Sequence, residues 1–396
     1  MSVHAFPKVE LPSYDKLLAE LIAVPSISSP SDDWDQSNEG VVRTLHRWFS
    51  LLGFNAEVHD VPGSSGKYNL IATLGEGCNG LVLAGHTDTV PFDASKWSSD
   101  PFSLDYRDGR FYGLGSCDMK GFFPIIVEAL RGLEAGVLKQ PLIVVATADE
   151  ESSMSGARAI AASAAIQGRA AIIGEPTNIR PIRMHKGIMM QGIRINGRSG
   201  HSSNPGLGNS ALEAMNEMIT ELLKYRLSIQ ARYQHPGFEV TTPTLNLGHV
   251  AGGDSPNRIC GHCELSFDVR LLPGMDSSSI RSEISGIVST LAAHRNIEAR
   301  LSDLIDHVDP FETAADSELV RSCESMTKTV AGAVSFATEA PFLSKMGFET
   351  VVMGAGSIDQ AHQPDEYLAD SQVRPMANVL QGLIRKYCIR ETESQA

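Results

Sequence analysis

At roughly 150 residues per domain, a chain of 396 residues predicts two to three domains. Its 42% hydrophobic and 20% charged residues are ordinary globular values, and a chain of this size folds without disulfide or metal staples, so any metal would serve chemistry. Lys and Arg total 33 against 47 Asp and Glu, and the net charge of −14 repels nucleic acid and anionic lipid surfaces. No apolar run approaches the ~20 residues of a membrane span. Six Cys make no disulfide framework, and the opening MSVHAFPKVELPSYDK lacks the basic and apolar regions of a secretory leader, so we expect a cytoplasmic protein. In chain order, short continuous apolar runs at 81–85 (LVLAG), 142–148 (LIVVATA), 170–173 (AAII) and 350–353 (TVVM) predict strands buried on both faces. Stretches 119–135 and 376–388 carry apolar residues three and four apart and predict helices. The alternation predicts an α/β catalytic domain, a mostly parallel sheet with helices on both faces.

Residues 182–308 have a different pattern. In 263–271, Cys263, Leu265, Phe267, Val269 and Leu271 alternate strictly with polar residues, as in a strand buried on one side only. Stretches 210–226 and 277–295 predict amphipathic helices, the second with the stripe Ile280, Ile284, Ile287 and Leu291. The expectation is a smaller α+β domain inserted at 182–308 between two parts of the catalytic domain, 1–181 and 309–396.

Ligand sites in open parallel sheets form beyond the carboxyl ends of the strands. Each apolar run here is succeeded by acidic or imidazole-bearing residues: His86 and Asp88 after the first, Asp149, Glu150 and Glu151 after the second, Glu175 after the third, and a loop ending in His362 after the fourth. Asp118, in GLGSCDMKG, precedes helix 119–135, which it could also cap. Imidazole and carboxylate without thiolate suit Zn, Co or Mn. Two ions about 3.5–4 Å apart need an anionic bridge, for which Asp118 is the natural residue. Two divalent ions are neutralised by Asp118, Glu151, Glu175 and a bridging hydroxide, which leaves Glu150 free as a general base. Asp88, two residues after His86, suits a partner that holds the imidazole tautomer.

The stretches GHTDTVP, GLGSCDMKG, ATADEESS, GEPT and AHQPDEY, in this order over nearly the whole chain, resemble the dinuclear metallohydrolases of the aminoacylase, carboxypeptidase G and succinyl-diaminopimelate desuccinylase type. GRSGHSSNP, PTLNLGHVAGGDSPNRIC and TEAPF are similar to the members that deacetylate N2-acetyl-L-ornithine in arginine biosynthesis. The resemblance implies that His86 and Glu175 hold one ion, Glu151 and His362 the other, that Asp118 bridges them and that Glu150 is the base. It implies that the inserted domain is a dimerisation and lid domain, that His201 reaches the partner's site in a homodimer to stabilise the oxyanion, and that Asn257 and Arg258 hold the substrate carboxylate. We expect two divalent ions, zinc first and cobalt as the alternative. The expected substrate is a small N-acyl amino acid, acetylornithine first, with acetylcitrulline or a dipeptide as rivals.

Two further expectations rest on local chemistry. An ornithine side chain ends in an ammonium, so a site carboxylate would complement it, and Glu339 is our candidate. The tetrapeptide Cys260-Gly261-His262-Cys263 has dithiol spacing but runs into the alternating strand, which would point the two thiols to opposite faces and speaks against redox chemistry.

Overall fold

The structure, a computed structural model, describes residues 11–131, 133 and 138–389. By its internal contacts the chain divides into two compact units: the chain up to Arg183 with Thr313–Gly332 and everything from Thr338 on, and Met184–Glu312 with Ala333–Ala337. The breaks fall at 183/184 and 312/313, where the sequence suggested 181/182 and 308/309; the return of Ala333–Ala337 to the second unit was not foreseen.

In the first unit four strands run parallel at the centre of the sheet, in the order Leu142–Thr147, Leu81–His86, Ala170–Pro176, Glu349–Gly354. Each coincides with one of the apolar runs. Asn55–Asp60 and Tyr68–Leu74 add antiparallel strands beside Leu142–Thr147, and Ile182–His185 pairs antiparallel with Glu349–Gly354 on the other side. Every residue of Leu81–His86, Leu142–Thr147 and Ala170–Pro176 is buried, so both faces are covered. Leu81, Leu83, Leu142, Val144 and Ile172 join one cluster with Trp48 and Phe49 of helix Glu39–Leu51, Phe123 of helix Phe122–Arg131 and Leu380 of helix Asp370–Cys388. These helices bury stripes three and four residues apart, as Val373, Met376, Ala377, Leu380, Leu383, Ile384 and Tyr387 show. Val82, Ile143, Val145 and Ile173, on the alternate positions, are buried away from that cluster.

The helix expected over 119–135 starts only at Phe122, and its described part ends at Arg131; residues 132 and 134–135 lie outside the described residues. Residues 113–121 form an irregular loop closed by backbone hydrogen bonds such as Ser116 N–H to Gly113 O (3.0 Å). Asp118 therefore stands four residues before the helix and does not cap it.

The second unit has a four-stranded antiparallel sheet, in the order Thr244–Gly252, His262–Leu271, Gly187–Asn196, Glu298–Asp303. Burial in His262–Leu271 alternates as predicted, with Cys263, Leu265, Phe267, Val269 and Leu271 inside. Helices Ala211–Arg232 and Ser277–Arg295 share that core, each started by a capping side chain: Ser210 accepts from Glu213 N–H and Asp276 from Ser279 N–H. Both Cys260 and Cys263 are buried in this same core, and both are free thiols. The expectation of opposite faces is thus corrected: Cys260 precedes the strand, in irregular backbone where alternation does not apply. Among the described residues no helix is long and apolar enough to cross a membrane.

Candidate metal centre and active site

The parallel register brings the acidic and imidazole residues level. His86 pairs with Thr147, and Ala84 with Ile173, so that two residues further on His86 and Glu175 leave the sheet at the same height. His86 Nε2 lies 3.1 Å from Asp118 Oδ1 and 3.9 Å from Glu175 Oε1. On its other oxygen, Asp118 faces His362 Nε2 at 3.7 Å, and that nitrogen is 3.0 Å from Glu151 Oε2. The donor atoms of His86, Asp118 and Glu175 lie within 4.8 Å of one another, and so do those of Asp118, Glu151 and His362. Asp118 belongs to both groups. Oxygen and imidazole nitrogen fill both sets and thiolate neither, so they fit a pair of divalent ions of the zinc type.

Electrostatics agree with that fit. Burial, reinforced by neighbouring carboxylates, pushes Glu150 and Glu175 well above the usual carboxyl range, and Glu151 rises for the same reasons. Burial works against a charged His86, but the hydrogen bond to Asp118 and the charges of Asp88 and Glu175 outweigh it and hold the imidazole well above its ordinary value. For Asp118 the contact with His86 overcomes burial and lowers the carboxyl. Four crowded carboxylates carry more negative charge than two imidazoles balance, and cations would relieve it.

The role expected of Asp88 changes. The His86 Nδ1–H donates to the backbone carbonyl of Asp88 at 2.9 Å, whereas the Asp88 carboxylate stands 3.7 Å from that nitrogen. This leaves Nε2 turned to Asp118 and Glu175. The carboxylate instead accepts the backbone N–H groups of Glu150 (3.2 Å) and Glu151 (3.0 Å), and so positions the loop that carries base and ligand together. Asp149, at a left-handed φ of 58°, turns its side chain away from the cluster and pairs with buried Lys67 at 2.8 Å.

Glu339 is also corrected. It precedes helix Ala340–Lys345, is only 2% exposed, and has one oxygen without a hydrogen-bond partner among the described residues. Burial pushes its carboxyl up to about 7. A substrate ammonium needs an accessible carboxylate, which this one is not.

His201, Asn257 and Arg258 come together in the second unit and are exposed. His201 and Arg258 form an antiparallel bridge, and Ser202 N–H donates to Asn257 O at 3.1 Å. The Arg258 guanidinium rests on Asp254 at 2.5 Å.

Sequence reasoning missed Glu366, Lys67 and Lys120. Glu366 is buried in the first unit and accepts three backbone N–H groups of the loop that carries Asp118. Lys120, wholly buried, donates to the carbonyls of Leu21 (3.3 Å) and Val24 (2.8 Å), and burial pulls it down to about 7. No spacing announces such partners, because Glu366 and Lys120 serve backbone groups, and Lys67 pairs with the Asp35 and Asp149 carboxylates, all brought close only by folding.

A profile of peptidase family M20/M25/M40 matches residues 82–386. An acetylornithine deacetylase of Edwardsiella ictaluri is 46% identical over 381 residues, covering 96% of this chain and 99% of the relative. An M20 family metallo-carboxypeptidase from Sulfolobus solfataricus has a similar fold, with a TM-score of 0.73 at 18% identity over 95% of this chain and 99% of that one. A dinuclear metal binding peptidase of the M20 family from Bacillus subtilis superposes with a TM-score of 0.63 at 16% identity, over 93% and 96% of the two chains.

Proposed function

The chain belongs to peptidase family M20/M25/M40 and is a metal-dependent hydrolase, and from that premise we propose that it removes the acetyl group of N2-acetyl-L-ornithine, releasing ornithine and acetate for arginine biosynthesis. The observation that carries the chemistry is Asp118 shared between the His86/Glu175 and Glu151/His362 groups, with Glu150 on the adjoining loop. Near-half identity over almost the full length to a relative of that name carries the substrate.

His86 and Glu175 would hold one divalent ion and Glu151 and His362 the other, with Asp118 as the residue common to both groups; zinc is the expected metal and cobalt the alternative. When bound, such a pair lowers the pKa of a shared water toward neutrality and polarises the amide carbonyl. Glu150 takes the proton of the attacking water and passes it to the leaving nitrogen as the amide C–N bond breaks. Backbone N–H groups on the Asp88 carboxylate keep Glu150 and Glu151 in register through both transfers.

In the second unit we assign Asn257 and Arg258 to the substrate carboxylate, for which a guanidinium is the suited grip. His201, on the same loop pair, serves the oxyanion in the partner protomer of a homodimer. Support for pairing through this unit is the edge strand Thr244–Gly252, most of whose residues are exposed and one side of which is open to another strand. Free thiols throughout the described chain accord with a cytoplasmic setting.

The test is release of the free amino acid from acetylornithine, acetylcitrulline and acetylmethionine, on metal-stripped protein and after zinc or cobalt is restored. Metal-restored preference for acetylornithine is expected. Preference for another substrate would retain the chemistry and discard the substrate, and inactivity with every metal would discard both.

A further inference from the structure

We propose that Glu366 is a positioning residue for the metal centre: its buried carboxylate grips the loop Gly115–Asp118 and thereby sets where the Asp118 carboxylate stands between the two donor groups. The inference rests on the dinuclear reading above and adds a residue to it.

The geometry begins with a small antiparallel sheet. Tyr367 pairs with Tyr112 and Ala369 with Arg110, which lays the segment ending in Glu366 beside the chain leaving Tyr112. Gly113 N–H then donates to the Glu366 backbone carbonyl at 3.1 Å. The Glu366 side chain continues the ladder: Oε2 accepts Gly115 N–H at 2.9 Å, and Oε1 accepts the N–H groups of Cys117 at 2.8 Å and Asp118 at 2.9 Å. Gly115 has a φ of 82°, a conformation that costs glycine little and other residues more, and the loop turns there onto the carboxylate. These donors lie before helix Phe122–Arg131, where no helical hydrogen bonds could take them.

Three hydrogen bonds, donated by Gly115, Cys117 and Asp118 of one short loop, converge on this single side chain and leave the loop little freedom. Both Glu366 oxygens are turned to backbone N–H groups of the loop, and the side chain is a member of neither donor group. His362 lies four residues upstream on the same segment, so one stretch of chain carries a donor of one group and the grip on the residue shared by both.

The test compares full-length wild type with Glu366→Gln and Glu366→Ala. Readouts are the ions kept per chain against a competing chelator, the visible absorption of the cobalt-loaded protein, and kcat and KM separately. Glu366→Ala should weaken metal retention about 10–100-fold, the usual effect of losing a group that orients a ligand. It should also shift the cobalt spectrum and lower kcat with KM nearly unchanged. Glu366→Gln should fall between, because its amide oxygen can still serve Cys117 and Asp118 while its NH2 opposes Gly115 N–H. If the Ala variant does not fold, the Gln variant carries the comparison. Folded variants with wild-type metal retention and cobalt spectrum, even with a lower melting temperature, would overturn the assignment. Wild type that binds fewer than two ions would overturn the dinuclear reading itself, and that arm is read before any variant.

Discussion

Single side chains in this site differ by what surrounds them more than by their type. Glu150 and Glu151 are neighbours in sequence, yet Glu151 contacts His362 while Glu150 sits among carboxylates that raise its pKa further. Substituting Glu150 by Gln keeps the shape and removes the proton acceptor. We expect both ions to be retained and turnover to fall by about 10²–10⁴, the range over which general base catalysis contributes. Metal content with kcat measured on the same preparation decides it, and a variant with near-normal turnover would show that another group accepts the proton. Asp88 teaches the complementary lesson. Its place after His86 was legible as that of an imidazole partner, but the backbone carbonyl takes that role while the carboxylate holds the next strand's loop. Sequence spacing places a residue beside its neighbour without telling which of its atoms will do the work.

Among elements, the strand Ile182–His185 is where the chain passes from one unit to the other. It ends in His185, wholly buried with its ring 5.2 Å from that of Phe311. Burial lowers this imidazole from 6.5 to about 4. The unfolded chain therefore takes up the proton first as pH falls, so the stabilisation is complete above about pH 6.5 and declines as pH drops toward about 4. The shift corresponds to about 3 kcal/mol at most. Denaturant unfolding of wild type and His185→Gln between pH 6.5 and 5 should give a shallower pH slope in the variant. Equal slopes would mean that His185 is protonated in the fold. The same scale explains the helix that starts late. Apolar spacing over 119–135 is helical throughout, but residues 113–121 give their hydrogen bonds to one another and to Glu366, and the helix begins only at Phe122.

For the molecule as a whole, the packing predicts how its thiols behave. Cys78 is exposed, and Cys117, Cys260, Cys263, Cys323 and Cys388 are buried, with Cys323 and Cys388 pushed by burial up to about 12. One thiol should react rapidly with an aromatic disulfide reagent in the native protein, and the full six only in denaturant. Rapid reaction of several would contradict the two cores. By itself the sequence determined the strands buried on both faces, the alternating strand of the second unit, and the His, Asp and Glu residues that end the central strands. Those features are written in local periodicity and in the residues just past each strand, and a parallel sheet collects such ends along one edge. Tertiary structure alone decided that the Asp88 and Glu366 carboxylates hold backbone loops, and that Glu339 is shut away from solvent. Each of these depends on distances between segments far apart in the chain, and on backbone N–H and carbonyl groups that every residue shares, so no pattern of side chains could encode them.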